Sequence, residues 1–482
     1  MIEISETLVA HHAPEDVFAF VADFGRIADW DPNIVSSERP GGELAVGEEA
    51  NLRVKFGLQT IPMTYELLEY EAGKRAVWRG ENVSSISVDE IRVEAAEGGG
   101  ARLFWSATLE FKGVLGLTEP AIRKSFEKLG RETIQALARA LARPTLGDAF
   151  RQAPGGVKAN LWGALSNTFD ATVAPSFGAP GYHARRRTWA DPDIEVDLSG
   201  RHMIVTGANS GLGKATTHGL LARGADVTIV CRNKQRAEDA LDEFRRAHPE
   251  AKVQLELADM GDLESVAMLA QRIGEDTIHG LIHNAGALLD TRQQTKQGHE
   301  VTFGVHVLGP HLLTRLLEDR LKSSHDARLV FVSSGGMYTQ RLKVKALREG
   351  LRNYDGATVY AQAKRAQVYL AKRWAGILGD HGVAVSSMHP GWADTPGVRT
   401  SLPRFHKLTR SFLRTPEQGA DTIIWLAASP EGSMARGEFY LDREPREEHA
   451  PLARTTSSQE DIDALWTLCQ ELSKPYLMAC AS

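Results

Sequence analysis

Hydrophobic and polar positions change their period along the chain. Over the first 145 or so residues the period is two. Leu52, Val54 and Phe56 alternate with Arg53 and Lys55, and Leu103, Trp105, Ala107, Leu109 and Phe111 follow the same rule. Each strand so predicted has an apolar face and a wetter one, as in an antiparallel sheet buried on one side. Ile86 and Val88 fall out of phase with Ile91 and Val93, which predicts a bulge or turn near Asp89 and Glu90. EGGGA, from Glu97 to Ala101, marks a turn between strands. The period then lengthens: from Thr118, the positions Ile122, Phe126, Leu129, Leu137 and Leu141 share one helix face, with Thr118 as cap and Pro144 as stop. A short helix is predicted over Ala13–Val21. Strands with short helices and one long closing helix imply an α+β domain.

This order, with the loop FGRIADWDPNI from Phe24 to Ile34, resembles the polyketide cyclase/START-like superfamily (SRPBCC, helix-grip) over residues 1–145. The resemblance implies an apolar ligand held between a curved sheet and the long helix. The same residues, taken singly, also fill an ordinary core.

Residues 146–196 are rich in Gly, Pro and Ala and read as a linker, with a short helix around Leu161. Its run Arg185-Arg186-Arg187 fits a solvated face, or else docking between domains or on an acidic surface.

From residue 197 to 482 the pattern becomes α/β. HMIVTGANSGLGKATTHGLLARGADVTIVCR reads as strand, glycine loop, helix and strand. A glycine motif gains weight from that setting. Thr206-Gly207-Ala208-Asn209-Ser210-Gly211-Leu212-Gly213 opens the helix. Gly207 and Gly211 let backbone turn beneath a pyrophosphate, Gly213 lets helix and strand approach, and the helix N-terminus offers amides to the anion. At the end of the second strand, a carboxylate would select NAD through the ribose hydroxyls. Here stands Cys231-Arg232-Asn233, and Arg232 suits a 2′-phosphate, so NADP(H) is preferred, with NAD(H) as the alternative.

Further motifs follow in order: Asp259 after the third strand, His283-Asn284-Ala285-Gly286 after the fourth, Ser333-Ser334-Gly335-Gly336 after the fifth, Tyr360-Ala361-Gln362-Ala363-Lys364, and Pro390-Gly391 through Thr395 after the sixth. Together they resemble the short-chain dehydrogenase/reductase family, a Rossmann doubly wound parallel sheet. The resemblance implies that Asp259 meets the adenine, that Asn284, Ala285, Gly286, Pro390, Gly391 and Thr395 border the cofactor, and that Ser334 orients the substrate oxygen. It also implies that Tyr360 exchanges the proton and that Lys364 binds the nicotinamide ribose. Tyr360 and Lys364 are four apart, hence neighbours on a helix face, and a nearby ammonium favours phenolate. In VTFGVHVLGPHLLT, His306 stands where relatives carry an Asn that completes a proton relay. Imidazole can donate and accept, so His306 either keeps the relay or simply packs in the helix.

Composition narrows the field. The net charge of −6 excludes a broad basic nucleic-acid surface. Three separated cysteines (Cys231, Cys469, Cys480) exclude a disulfide scaffold or cysteine zinc site and suit a reducing cytoplasm. No secretory leader and no membrane-spanning apolar run is read. His279 and His283 are a poor metal pair, His11 and His12 read as exposed, and no metal is expected. The chain is thus predicted to be a cytoplasmic NADP(H)-dependent oxidoreductase acting on a small apolar carbonyl or alcohol, fused to a hydrophobic-ligand-binding domain, with homo-oligomerisation left open. One rival is a lipid-binding or transfer protein whose reductase-like half senses nucleotide or serves as scaffold. Another is a cyclase step in the first domain.

Overall fold

The computed structural model describes residues 2–31, 33–56, 59–82, 85–96, 99–112, 130, 133–142, 146, 176–189, 193–274, 277–324, 326–349, 353–401, 403–449 and 455–478. The chain divides into two compact units, Met1–Ala153 and Pro154–Ser482.

Unit 1 is built on seven antiparallel strands: β1 (Ile2–Ala10), β2 (Ile34–Glu38), β3 (Glu49–Phe56), β4 (Gln59–Glu71), β5 (Arg75–Glu81), β6 (Ser85–Ala95) and β7 (Ala101–Phe111). Their order is β1-β7-β6-β5-β4-β3-β2, so the first strand pairs with the last and the sheet curls around its concave face. Against that face lies α1 (Pro14–Ala22), which buries Val17, Phe18, Phe20 and Val21 and accepts the indole N–H of Trp78 on the carbonyl of Ala22 (2.9 Å). Phe24 stacks on Trp78, with ring centroids 4.9 Å apart. Residues 133–141 are helical and bury Leu137 and Leu141 as the long-helix pattern predicts. The predicted helix start at Thr118, with Ile122, Phe126, Leu129 and the stop at Pro144, lies outside the described residues, as does the helix around Leu161.

The bulge expected at Asp89 and Glu90 is absent. β6 pairs with β5 and β7 without a register shift; shifts in this sheet fall instead between Ile34 and Ser36 and between Leu67 and Glu69. What breaks the phase is chemistry. The inner face of β6 begins Ser85, Ser87, Asp89, all buried, before Ile91 and Val93 resume the apolar face. Ile86 and Val88 point outward.

Unit 2 carries an eight-stranded sheet in the order β10-β9-β8-β11-β12-β13-β14-β15. The strands are β8 (His202–Thr206), β9 (Asp226–Cys231), β10 (Val253–Leu257), β11 (Gly280–His283), β12 (Arg328–Val332), β13 (Ala384–Met388), β14 (Arg436–Leu441) and β15 (Glu444–Arg446). All pairs are parallel except β14 with β15. Both faces are covered, because successive strand residues point opposite ways. Ile204 joins a core with Leu281, Leu329 and Trp374, whereas Met203 and Val205 join one with Ile229, Leu220 and Ile423. The helices used below are α2 (Ala179–Arg186), α3 (Gly211–Leu221), α4 (Lys234–Ala247), α5 (Leu263–Arg272), α6 (Gly309–Leu316), α7 (Gly356–Leu378), α8 (Pro416–Ala428) and α9 (Gln459–Met478). The strand order reverses between β8 and β11, the switch point where open α/β sheets bind ligands. Among the described residues, no helix is long and apolar enough to cross a membrane.

Residues 176–189, placed in the linker by composition, pack on unit 2. Arg185, expected with its neighbours on a solvated face, is fully buried. It donates to Asp442 (2.5 Å) and to the carbonyl of Ser176 (3.0 Å). Arg414, also buried, pairs with the same carboxylate (Nη2 to Oδ2, 2.9 Å). Asp442 and Arg443 form the two-residue turn between β14 and β15 and have φ of 52° and 63°, a conformation that glycine or asparagine would adopt more easily. The ion pairs fix it, together with Arg443 on Asp421 and its guanidinium 3.9 Å from the Trp189 ring centroid. Arg186 and Arg187 remain at the surface.

Candidate active site

The glycine loop is shaped by close approach. Gly207 (φ 69°) lies so near β11 that a Cβ would stand 2.8 Å from the Cα of Ala285. A Cβ on Gly213 would strike the Asn284 side chain and the Gly207 carbonyl. Gly211 (φ 54°) faces Thr395, whose Cβ would be 3.2 Å from an added methyl. The loop is tied to the turn after β11 by Thr206: its hydroxyl donates to the carbonyl of Ile282 (3.2 Å) and accepts from the amides of Asn284 and Ala285 (both 3.0 Å). Asn284 Nδ2 returns a bond to the carbonyl of Thr206 (2.8 Å). The side chains of Thr206 and Asn284 therefore brace the loop from behind. Leu212 packs against Gly419 of α8. Ser210 stands at the N-cap of α3 without making a side-chain cap, so the first-turn amides keep no internal side-chain acceptor. A tight loop, a close helix and uncapped amides fit a dinucleotide pyrophosphate.

At the end of β9, three consecutive residues face three ways. The Cys231 thiol is buried and pushed up to about 11 by burial, partly offset by the amides of Ala208 and Asn209. Asn233 caps α4 by accepting from the amide of Arg236 (3.0 Å). Arg232 is exposed, with Asp259 Oδ2 at 3.6 Å. Asp259 is itself held by accepting from the amide of Gly261 (2.9 Å). None of these three residues is a carboxylate, and the exposed Arg232 is a cation.

Ser334, Tyr360, Lys364 and His306 come together beyond β11 and β12. Asp355 starts α7 by accepting from the amide of Thr358, and the 3.6-residue repeat then brings Tyr360 and Lys364 to one face, the ammonium nitrogen 5.4 Å from the phenol ring centroid. The Ser334 hydroxyl accepts from the amide of Gly336 (3.2 Å) and lies beside the Tyr360 phenol. Burial nevertheless raises the phenol above its usual value. This reverses the expectation that Lys364 favours phenolate here. Lys364 is itself deeply buried, burial brings its ammonium down to about 7, and it donates to the carbonyl of Val332 (2.7 Å).

His306 occupies a π-helical turn, Gly304–Leu308, immediately before α6. Its Nε2 lies 3.0 Å from the amide nitrogen of Ala287 and 2.9 Å from that residue's carbonyl oxygen. The ring is edge-on to Tyr360, and Nδ1 has no partner. Burial first, then Lys364, holds the imidazole well below its ordinary value, so it is neutral.

Sequence reasoning missed His389, the residue before Pro390-Gly391. Its Nδ1 accepts from the amides of both Gly335 (3.0 Å) and Gly391 (3.2 Å), joining the Ser334 loop to the Pro390 loop. Phe177 packs on His389 edge-to-face, with centroids 4.5 Å apart, and near Trp392 and Tyr338. The position of His389 at a strand end, before a glycine turn, was the available signal. Phe177 left none. His279 accepts from the amide of His202 and His283 bonds Thr314, each within its own surroundings. Among the described residues no group of three or more His, Cys, Asp or Glu side chains could hold a metal ion.

Residues 201–404 match the family pattern described as short chain dehydrogenase, and residues 1–142 match that described as polyketide cyclase/dehydrase and lipid transport. Human dehydrogenase/reductase SDR family member 12 is 39% identical over 298 residues, which are 61% of this chain and 93% of that protein. Human retinol dehydrogenase 12 is 33% identical over 281 residues, 58% of this chain and 87% of that protein. A solved short chain dehydrogenase/reductase family protein is 28% identical, covering 51% of this chain and 96% of its own, with a TM-score of 0.42.

Proposed function

The chain belongs to the short-chain dehydrogenase/reductase family of oxidoreductases, and we propose that unit 2 interconverts a carbonyl and an alcohol on an apolar substrate using NADP(H). The observation that carries this is the grouping of Ser334, Tyr360 and Lys364, with the serine hydroxyl and the ammonium both beside the phenol.

Gly207, Asn209, Ser210, Gly211 and Gly213 would hold the pyrophosphate, Arg232 the 2′-phosphate, Asp259 the adenine side, and the backbone of Ala285, Gly286, Pro390, Gly391 and Thr395 the rest of the dinucleotide. NADP(H), when bound, supplies or takes up the hydride. Ser334 orients the substrate oxygen, and Tyr360 gives that oxygen its proton in reduction or removes it in oxidation. Burial keeps the phenol protonated, the form that reduction needs. Lys364 binds the nicotinamide ribose and returns a proton to Tyr360. A neutral His306 braces the Tyr360 ring, held in place by its Nε2 at the Ala287 backbone.

An apolar substrate is favoured by the half-buried aromatic side chains of Phe177, Tyr338 and Trp392 beside the Ser334 loop, and by a relative named a retinol dehydrogenase. Unit 1 we take as a helix-grip domain holding an apolar ligand between its curled sheet and the helix that contains residues 133–141. The buried, unpaired Cys231 and Cys469 suit a reducing cytoplasm. A nucleotide-sensing or scaffold role for unit 2 draws its support from Lys364, whose ammonium is bonded to Val332. NADPH oxidation followed with a panel of ketones and aldehydes separates the two: turnover of any of them supports the oxidoreductase, and nucleotide binding with no turnover across the panel overturns it.

A further inference from the structure

The polar stretch on the inner face of β6 is the least economical feature of unit 1. Buried polar groups are costly unless bonded, and a carboxylate more so. Yet Asp89, the last of three buried polar residues on this face, is flanked in register by Trp78 of β5 and Ala107 of β7. Polar side chains from three strands gather around it: the Ser87 hydroxyl donates to Oδ2 (2.8 Å), and the Trp105 indole and the Tyr65 phenol lie beside the same carboxyl. Tyr65 belongs to β4, two strands away, and reaches across β5 only because Gly80 stands between them: a Cβ there would be 2.5 Å from the phenol carbon. A whole cross-section of the sheet is thus arranged to present one carboxyl group inward.

We propose that the concave face of unit 1 holds an apolar molecule by a single hydroxyl group, accepted by Asp89 beside Tyr65 and Trp105. This rests on the ligand-holding role given to unit 1 above and names the ligand's polar end.

The hydrogen-bond inventory points to a hydroxyl. An ionised carboxylate has about four lone-pair directions, and the Ser87 hydroxyl takes one, which leaves acceptor directions open beside Tyr65 and Trp105. Burial, with the nearby Asp31 charge, brings the Asp89 carboxyl up to about 6, so at neutral pH it is mostly ionised and can only accept. Trp30, edge-on to Trp105 (centroids 5.4 Å apart), is 1% exposed, and its indole N–H has no hydrogen-bond partner. One acceptor direction and one donor are what an alcohol needs, since it gives one hydrogen bond and takes another. A carbonyl could use only the donor. Unit 1 would then retain the alcohol rather than the carbonyl form of such a molecule.

The test uses the full chain without nucleotide, at neutral pH, and titration calorimetry with cyclododecanol, cyclododecanone and cyclododecane, which share one carbon ring. Wild type is expected to bind the alcohol roughly tenfold or more tighter than the ketone, the scale of one hydrogen bond to a charged group. Asp89→Asn is expected to erase that preference while leaving the affinity for the hydrocarbon unchanged. Should Asp89→Asn fail to fold, as judged by circular dichroism, Tyr65→Phe, which keeps the ring over Gly80, is expected to reduce the preference several-fold. Equal affinity for all three compounds, or a preference that survives both substitutions, overturns the hydroxyl site and leaves the apolar-holding role standing. If wild type binds none of the three, both fail together.

Discussion

The His306 imidazole stands edge-on to the Tyr360 phenol, with ring centroids 5.3 Å apart and planes at 89°. A π-helical turn delivers His306 to that place, and the Ala287 backbone fixes it there. Its ordinary role as a titrating group is suppressed by burial and by Lys364. It is expected to act through shape and position. His306→Leu should lower kcat about tenfold or more by loosening the phenol, and His306→Asn, which can still bond the backbone of Ala287, should stay within a few-fold of wild type. The pH profile of kcat should show no limb lost on removing His306. A limb near its ordinary value that vanishes in His306→Asn would contradict this.

Tyr360→Phe keeps the ring packed against His306 but removes the exchangeable proton. Turnover should fall by roughly 10² or more while NADPH affinity is retained. Single-turnover kinetics with a substrate found in the ketone panel, beside a fluorescence titration with NADPH, provide both readouts.

Arg232→Asp should weaken NADPH binding more than tenfold and leave NADH binding nearly unchanged, because a charge-assisted pair is replaced by repulsion. In the structure Arg232 has Asp259 as its partner at 3.6 Å. Asp259→Asn should therefore release Arg232 and tighten NADPH modestly relative to NADH. Equal losses for both nucleotides in Arg232→Asp would remove Arg232 from the site.

Lys364 predicts a pH-dependent stability. Its ammonium drops from 10.5 in the open chain to about 7 when buried. Between those values the unfolded chain binds more protons than the folded one, so stability rises with pH across that window, by up to about 1.4 kcal/mol per unit. The cost of burying the charge is fully present below about pH 7 and is gone above the open-chain value. Urea unfolding of Lys364→Met should show a flatter dependence than wild type over roughly pH 7 to 10. An unchanged slope would mean that the group is solvated in the folded chain.

Asp442→Asn should destabilise unit 2 strongly, by about 3–5 kcal/mol, since it leaves the Arg185 and Arg414 guanidinium groups buried without their counter-charge. Thermal unfolding of the full chain checks this, and a loss below about 1 kcal/mol would place the two arginines in contact with water.

How far the sequence disclosed this depended on whether a feature was local. Gly207, Gly211 and Gly213 are set by the loop's own turns, and Tyr360 and Lys364 by helical spacing, so their grouping could be read from the chain. Arg185 could not, because its partner Asp442 is 257 residues away and three arginines in a row look alike on paper. His389 accepts from two loops whose meeting is tertiary. β6 is the instructive case. Its phase error was visible, but a bulge and a polar inner face leave the same mark in a hydrophobicity pattern, and only the intact register distinguishes them. Desolvation, which decides the protonation of Lys364 and Tyr360, has no trace in residue order.

The clasp of Arg185, Asp442 and Arg414 also determines where the gene can be cut. The family match spans residues 201–404, and all three clasp residues fall outside it. A truncation made at the first strand of the dinucleotide fold would keep every recognisable motif yet discard one of the two arginines that neutralise Asp442, together with Trp189, which covers Arg443 in the neighbouring left-handed turn. Such a fragment would look complete in any alignment and should still be less soluble and less stable than one beginning before Ser176. Transplanting the reductase half into another fusion therefore requires carrying this upstream stretch as part of the cassette.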